Sequence, residues 1–236
     1  MALAIAHRGD PQDHRENTIP ALLAALEQGA DLVEVDLKLT RDGQVILLHD
    51  PTLKRLWRHH GAVRSLSLDE VRAYCDVRYE IPTLDEALGV LSWSRSALMA
   101  DLKDAEALDT TVAIVREHDA FDRVLFVGGD VHAMRRLRGL APEARLGLTW
   151  EDPTPPDGVL EDIRAELFNP RWQLVDRGLV ELMHERGYQV STWTVDSPTN
   201  MARLLDLGVD AVITNRLGYL LELLEDRETA GWRVAC

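Results

Sequence analysis

Gln189-Val190-Ser191-Thr192-Trp193-Thr194 is followed by Pro198–Leu207, with apolar residues at three- and four-residue steps, then Gly208, then Ala211-Val212-Ile213-Thr214. It reads as a strand, a helix, a glycine stop and a second strand. Runs of the same kind occupy about 123–127, 145–149 and 166–169, so successive strands begin 21 to 23 residues apart through 189–194 and 211–214. That step is the length of one compact strand–helix unit and predicts a parallel sheet. Further upstream, short apolar runs stand at about 2–7, 31–36 and 97–102. Helical periods cover Ala105–His118, Val131–Leu140 and Leu174–Arg186. Eight strands within 236 residues fit a slightly small (β/α)8 TIM barrel. The same alternation also fits an open doubly wound sheet.

Two features interrupt the regularity. Lys38-Leu39-Thr40-Arg41-Asp42-Gly43-Gln44-Val45-Ile46-Leu47-Leu48-His49 contains a ninth apolar run, separated from the second strand only by a short stretch with Asp42-Gly43. A parallel crossover needs about a dozen residues, whereas Asp-Gly favours a hairpin. The run is therefore predicted to return antiparallel, with residue 36 across from about residue 48 and His49 back at the level of Asp36. The second feature, about 50–81, is polar and irregular. Thr83 and Glu86 then mark a capped helix start. Residues 50–81 are read as an insertion at the barrel mouth rather than a separate domain, and residues 1–236 as a single catalytic barrel domain. Glu151–Gly158 is read as a further loop.

The composition narrows the partners. With 46% hydrophobic and 28% charged residues the chain can bury a full core, which excludes a disordered or collagen-like polymer. Forty acidic against 26 basic residues give a net charge of −14, unsuited to nucleic acid or anionic membranes and compatible with a small-molecule partner. Cys75 and Cys236 form no metal-binding or disulfide pattern and are expected as thiols. The opening Met1-Ala2-Leu3-Ala4-Ile5-Ala6 lacks the basic region and long apolar core of a signal peptide, and no apolar run reaches the ~18 residues of a membrane span. A cytoplasmic location without stable membrane association is expected.

In the second strand Val33, Val35 and Leu37 alternate with Glu34, Asp36 and Lys38, which places the two carboxylates on one face. In a barrel that face is the lumen. Asp101 and Lys103 share a face in the same way, the first strand ends at His7-Arg8-Gly9, and the hairpin ends at His49-Asp50. Three carboxylates converging at a mouth repel one another by about 4 kcal/mol per close pair under intermediate screening. One hard divalent cation, Mg²⁺ or Ca²⁺, removes that cost through oxygen ligands. Arg8 and Lys103 are then left to hold an anion. Two histidines, a metal and two cations suit phosphoryl transfer.

His7-Arg8-Gly9, Glu16-Asn17-Thr18, Glu34-Val35-Asp36, Thr40-Arg41-Asp42-Gly43, His49-Asp50-Pro51-Thr52-Leu53, Pro82-Thr83-Leu84, Asp101-Leu102-Lys103, Trp193-Thr194-Val195 and Gly208–Thr214 occur in an order that resembles the glycerophosphodiester phosphodiesterases. The resemblance implies a (β/α)8 barrel with a mouth insertion, cleaving glycerophosphodiesters to glycerol 3-phosphate and an alcohol. It implies Glu34, Asp36 and Asp101 as metal ligands, His7 and His49 as the acid–base pair, and Arg8 and Lys103 on the phosphate. Trp193 would stack on the glycerol moiety, or simply fill the lumen. Glu16 and Asn17 open the first helix, either supporting the ligands or capping that helix. Asp101 stands where the family usually has Glu, Arg15 where it usually has Pro, and Gly128-Gly129-Asp130 where Ser-Phe often ends a strand. Leu56-Trp57-Arg58-His59-His60 replaces small polar residues in the insertion. His14, His132 and His184 are expected at the surface, and His59 and His60 as solvated insertion residues. A lysophospholipase D-type activity at the same site and a non-catalytic binding barrel are the competing readings.

Overall fold

The computed structural model describes residues 2–154, 156 and 158–234, with side chains through Thr229. Cys236, and Pro155 and Asp157 of the predicted loop, lie outside the described residues.

The strands are β1 (Leu3–His7), β2 (Leu32–Leu39), β3 (Val45–Leu47), β4 (Ala97–Asp101), β5 (Val124–Gly128), β6 (Arg145–Trp150), β7 (Leu167–Pro170), β8 (Gln189–Thr192) and β9 (Ala211–Thr214). Eight of them, all but β3, pair in parallel, and β1 closes the ring by pairing with both β2 and β9. This is the closed barrel; the open sheet is excluded. The helices are α1 (Ile19–Gln28), α2 (Lys54–Trp57), α3 (Leu68–Arg72), α4 (Leu84–Leu91), α5 (Leu108–Glu117), α6 (Val131–Leu140), α7 (Val159–Asp162), α8 (Arg177–Glu185), α9 (Pro198–Leu207) and α10 (Leu217–Val234). No described helix is long and apolar enough to cross a membrane.

Two-residue periodicity divides the strand side chains as expected. Val33, Val35 and Leu37 of β2 pack outward with Leu22, Leu84 and Leu88 of the helices. Leu32, on the opposite face, joins Ile5, Met99, Leu125, Leu167 and Ile213 in a plug that fills the lumen. Glu34 and Asp36 continue the Leu32 face toward the C-terminal end of the barrel, where the apolar plug gives way to polar side chains.

The hairpin register is the predicted one: β3 runs antiparallel to β2 with Leu37 opposite Leu47, and Leu48 donates its N–H to the Asp36 carbonyl at 2.9 Å. Beyond it, about 50–81 is more ordered than its polarity suggested. It contains α2 and α3, and Leu53, Trp57, Val63, Val71 and Ile81 form a small apolar cluster against Ile46 and Leu48 of the hairpin. The helix after it begins as expected, with a reciprocal capping box between Thr83 and Glu86.

Other boundaries shift. Glu16 and Asn17 precede α1 rather than opening it; Thr18 occupies the cap position, and its hydroxyl donates to the Arg15 carbonyl instead of capping. β8 ends at Thr192, so Trp193 lies just beyond the strand. α5 is preceded by a 3₁₀ turn over Ala105–Ala107, and α8 by one over Trp172–Leu174. His132 and His184 are exposed, but His14 is half-buried, edge-on to Tyr79. His59 is half-buried too, stacked on Tyr74 with ring centroids 3.6 Å apart, while His60 is exposed.

Candidate active site

The site is assembled from strand ends. β1 delivers His7, β2 delivers Glu34 and Asp36, β4 delivers Asp101, and the hairpin returns His49 to the same end. β2 and β4 align Asp36 beside Asp101 in register. Glu34, Asp36 and Asp101 are each buried, and each offers a carboxylate oxygen within 4.8 Å of the others.

The chain between β1 and α1 fixes two of these acids. Arg8 and Asn17 both take left-handed backbone conformations, at φ +60° and +55°. The turn lets the Arg8 N–H donate to Glu34 Oε2 at 3.0 Å. The Asn17 side chain acts as a substitute strand neighbour for Asp36. Its Oδ1 accepts the Asp36 N–H at 3.2 Å, and its Nδ2 donates to Asp36 Oδ2 at 2.8 Å. Asp36 Oδ2 also faces Arg8 Nε at 3.0 Å, although that N–H is not aimed along the contact. Asp36 Oδ1 is left buried without a hydrogen-bond partner.

Burial and mutual repulsion raise the Glu34 carboxyl well above the usual range, with Asp36 and Asp101 the repelling groups. Asp101 is raised by burial, against the pull of Lys103. Lys103 Nζ lies 2.6 Å from Asp101 Oδ2 and 3.9 Å from Asp36 Oδ1. Burial works against the Lys103 charge, but Asp101, Asp36 and Glu34 together push its pKa upward. Arg8 donates from Nη1 to Glu16 Oε1 at 2.8 Å. Both cations expected on a phosphate thus rest against carboxylates.

The donor set fits a divalent ion. Two oxygens on opposite sides of a hard cation, each bound at about 2.0–2.6 Å, stand roughly 4–5 Å apart. The spacing here agrees, and the buried Asp36 Oδ1 is an acceptor without a hydrogen-bond donor. The acidic triad could therefore hold an ion.

The histidines differ. The His7 side chain is 16% exposed, with Nδ1 2.7 Å from Asn215 Oδ1 and Nε2 4.0 Å from Glu34 Oε2. Burial, then the Arg8 charge, lowers its pKa to about 4, so the ring is neutral at physiological pH. His49 is more open, at 37%, and its Nδ1 lies 2.8 Å from Asp50 Oδ1. Asp50 also accepts from Arg55 Nε at 2.6 Å, and Arg55 reaches Glu16 with both terminal nitrogens, at 2.6 and 2.9 Å. Glu16 therefore joins Arg8 to Arg55. Trp193 lines a small lumen cavity with His7, Glu34, Asp101 and Lys103, its indole N–H donating to the Asn169 carbonyl at 3.0 Å.

Sequence reading missed Asn215, Asp196 and Arg55 and gave Asp50 no role. Asn215 directly follows the recognised Gly208–Thr214 motif and Asp50 directly follows His49, so both had a positional signal. Asp196 likewise directly follows the Trp193–Val195 motif, and only the position of Arg55 carried no such signal. A far larger groove, about 1090 Å³, runs along the outside between α1, the insertion and α4; none of the predicted site residues lines it.

The model of the glycerophosphoryl diester phosphodiesterase family matches residues 7–219. The chain is 28% identical to the glycerophosphodiester phosphodiesterase of Caldanaerobacter subterraneus subsp. tengcongensis, over 94% of this chain and 97% of the relative. It is 32% identical to the probable glycerophosphodiester phosphodiesterase 2 of Mycobacterium tuberculosis, over 94% and 90%. The structure of an Oleispira antarctica phosphodiesterase in complex with the product sn-glycerol-3-phosphate superposes with a TM-score of 0.87 at 25% identity, covering 95% of this chain and 97% of that one. With the match running from the first mouth histidine into the last helix, the protein falls in the class of phosphodiester hydrolases built on a closed parallel barrel. It belongs to the glycerophosphoryl diester phosphodiesterase family.

Proposed function

We propose that Glu34, Asp36 and Asp101 hold one Mg²⁺ or Ca²⁺ ion while His7 and His49 act as base and acid in cleaving a glycerophosphodiester to glycerol 3-phosphate and an alcohol. The observation that carries this reading is the buried three-carboxylate cluster with its unpaired Asp36 oxygen, set beside the His7 ring 4.0 Å from Glu34 Oε2. Bound there, the ion would supply positive charge to the phosphate oxygens. Arg8 and Lys103 flank the acids and orient the diester by charge. His7 accepts the proton of the glycerol hydroxyl next to the phosphoester, and that oxygen attacks phosphorus. His49, steadied by Asp50, gives a proton to the departing alcohol. Water then opens the cyclic phosphate with the two roles exchanged. The Trp193 ring packs against the glycerol carbons. The reading is completed by a small-molecule substrate met in the cytoplasm by a chain working as a single catalytic unit. The product bound to the Oleispira antarctica protein supports glycerol 3-phosphate as the retained product.

The test separates the histidines. Loss of a general acid should cost ~10²–10⁴-fold on natural diesters, whose alkoxides leave poorly, and much less on a glycerophosphoryl nitrophenyl ester. His49→Ala is expected to be rescued by the nitrophenyl ester and His7→Ala is not. Rescue of His7→Ala alone reverses the assignment, and rescue of neither contradicts a simple division of labour.

A further inference from the structure

We infer that Asn215, clamped by Asp196, is the positioning residue that holds His7 in the tautomer with its proton on Nδ1 and its lone pair on Nε2. Asn215 is the first residue after β9, and Asp196 lies on the segment leaving β8, which is pinned to β9 by a bond from the Val195 N–H to the Ile213 carbonyl at 2.9 Å. Asp196 Oδ1 accepts from the Asn215 backbone N–H at 2.8 Å and from the Thr214 hydroxyl at 3.1 Å. Its other oxygen faces the Asn215 amide nitrogen at 2.8 Å.

A carboxylate only accepts, so the group facing Asp196 Oδ2 must be the NH₂ end of the amide. The amide oxygen is then the atom 2.7 Å from His7 Nδ1. That oxygen also only accepts, so the shared proton belongs to Nδ1. A neutral imidazole carries a single N–H, which leaves Nε2 as the lone-pair nitrogen on the side of the carboxylates, 4.0 Å from Glu34 Oε2. Asp196 thereby acts on His7 through a neutral relay. At His49 a carboxylate contacts the ring directly.

The consequence for catalysis rests on the proposed function, in which Nε2 receives a proton. The inference is tested by ¹⁵N NMR of the full chain labelled at histidine, in Mg²⁺, with the His7 signals identified by their loss in His7→Gln. Wild-type protein is expected to show a protonated Nδ1 and an unprotonated Nε2. In Asp196→Asn, the new amide keeps its oxygen on the Asn215 backbone N–H and sets NH₂ against NH₂. The Asn215 amide must then rotate, and the two His7 signals should exchange. With the tautomer wrong, kcat should fall by ~10²–10⁴-fold with KM little changed. Asn215→Leu, which removes the acceptor, should lose the preference.

A wild-type His7 protonated on Nε2 overturns the inference, as do unchanged His7 signals in both Asp196→Asn and Asn215→Leu. The NMR readout needs no turnover. If the signals respond as expected while the wild-type chain cleaves no glycerophosphodiester, the proposed function fails and the positioning role stands. If the chain cleaves diesters and the signals do not respond, only the positioning role fails.

Discussion

A β-carbon at Gly9 would stand 2.6 Å from the Ala21 carbonyl carbon, on a backbone at φ +84°. Only glycine passes α1 at that distance, and the passage lets the preceding Arg8 N–H reach Glu34. Gly9→Ala is therefore expected to destabilise the fold by at least about 2 kcal/mol, from strain and overpacking together, and to lower activity with it. Urea unfolding measures the loss; a change within about 0.5 kcal/mol, the range of ordinary surface substitutions, would contradict the close approach. Period-two alternation made Glu34, Asp36 and Asp101 legible as a cluster, because strand geometry alone decides which face a side chain takes. The pairing of Asn215 with Asp196 was illegible for the opposite reason. They meet across two loops with no repeating geometry, and neither residue type signals its partner. The pairings of Arg8 with Asp36 and Glu16 and of Lys103 with Asp101 were not legible either, because a sequence shows charges but not which of them meet.

Among the elements, the hairpin was readable to the residue, since Asp42-Gly43 fixes the turn and the turn fixes the register. The order within 50–81 was not readable. It comes from α2, α3 and side-chain stacking rather than from a long apolar period. Arg15 illustrates this, with its guanidinium 4.3 Å from the Trp57 ring centroid, 5.0 Å from that of Tyr79, and 3.0 Å from an Asp76 oxygen. Its departure from the family's usual proline thus ties the β1–α1 loop to the insertion. Arg55, on α2, makes the second tie, through Glu16 on one side and Asp50 on the other. The Arg55 side chain is 44% exposed, so its ion pairs should add no more than about 1 kcal/mol to stability. Its effect on His49 should be larger. Arg55→Gln is expected to shift the denaturation midpoint slightly while kcat/KM falls ~10–100-fold, the usual cost of losing a partner that orients an active-site group. Unchanged kcat/KM would show that Asp50 needs no anchor.

For the whole molecule, the acids and His7 make stability depend on pH in opposite senses. Glu34 and Asp101 bind protons more tightly in the fold than in the unfolded chain. As pH rises from the ordinary carboxylate range through their raised values, cation-free protein loses stability from this source. His7, lowered to about 4 from 6.5, contributes the reverse. Its unfolded form binds more protons across that window, so this penalty shrinks as pH rises and is gone above about 6.5. A cation competes with the carboxylate protons, so the rise in Tm on adding Mg²⁺ should be small near pH 5 and larger near pH 8. Asp36→Asn should flatten that dependence. An equal rise at both pH values would place the ion elsewhere.

The central claim is that a cation held by Glu34, Asp36 and Asp101 is required for cleavage of a glycerophosphodiester. Its most direct test is the initial rate of glycerol 3-phosphate release from glycerophosphoethanolamine, first in excess chelator and then as free Mg²⁺ or Ca²⁺ is restored. The expected result is no release in chelator and saturable recovery with one of the two ions, with Asp101→Asn needing far more of that ion. Full release in excess chelator would contradict it.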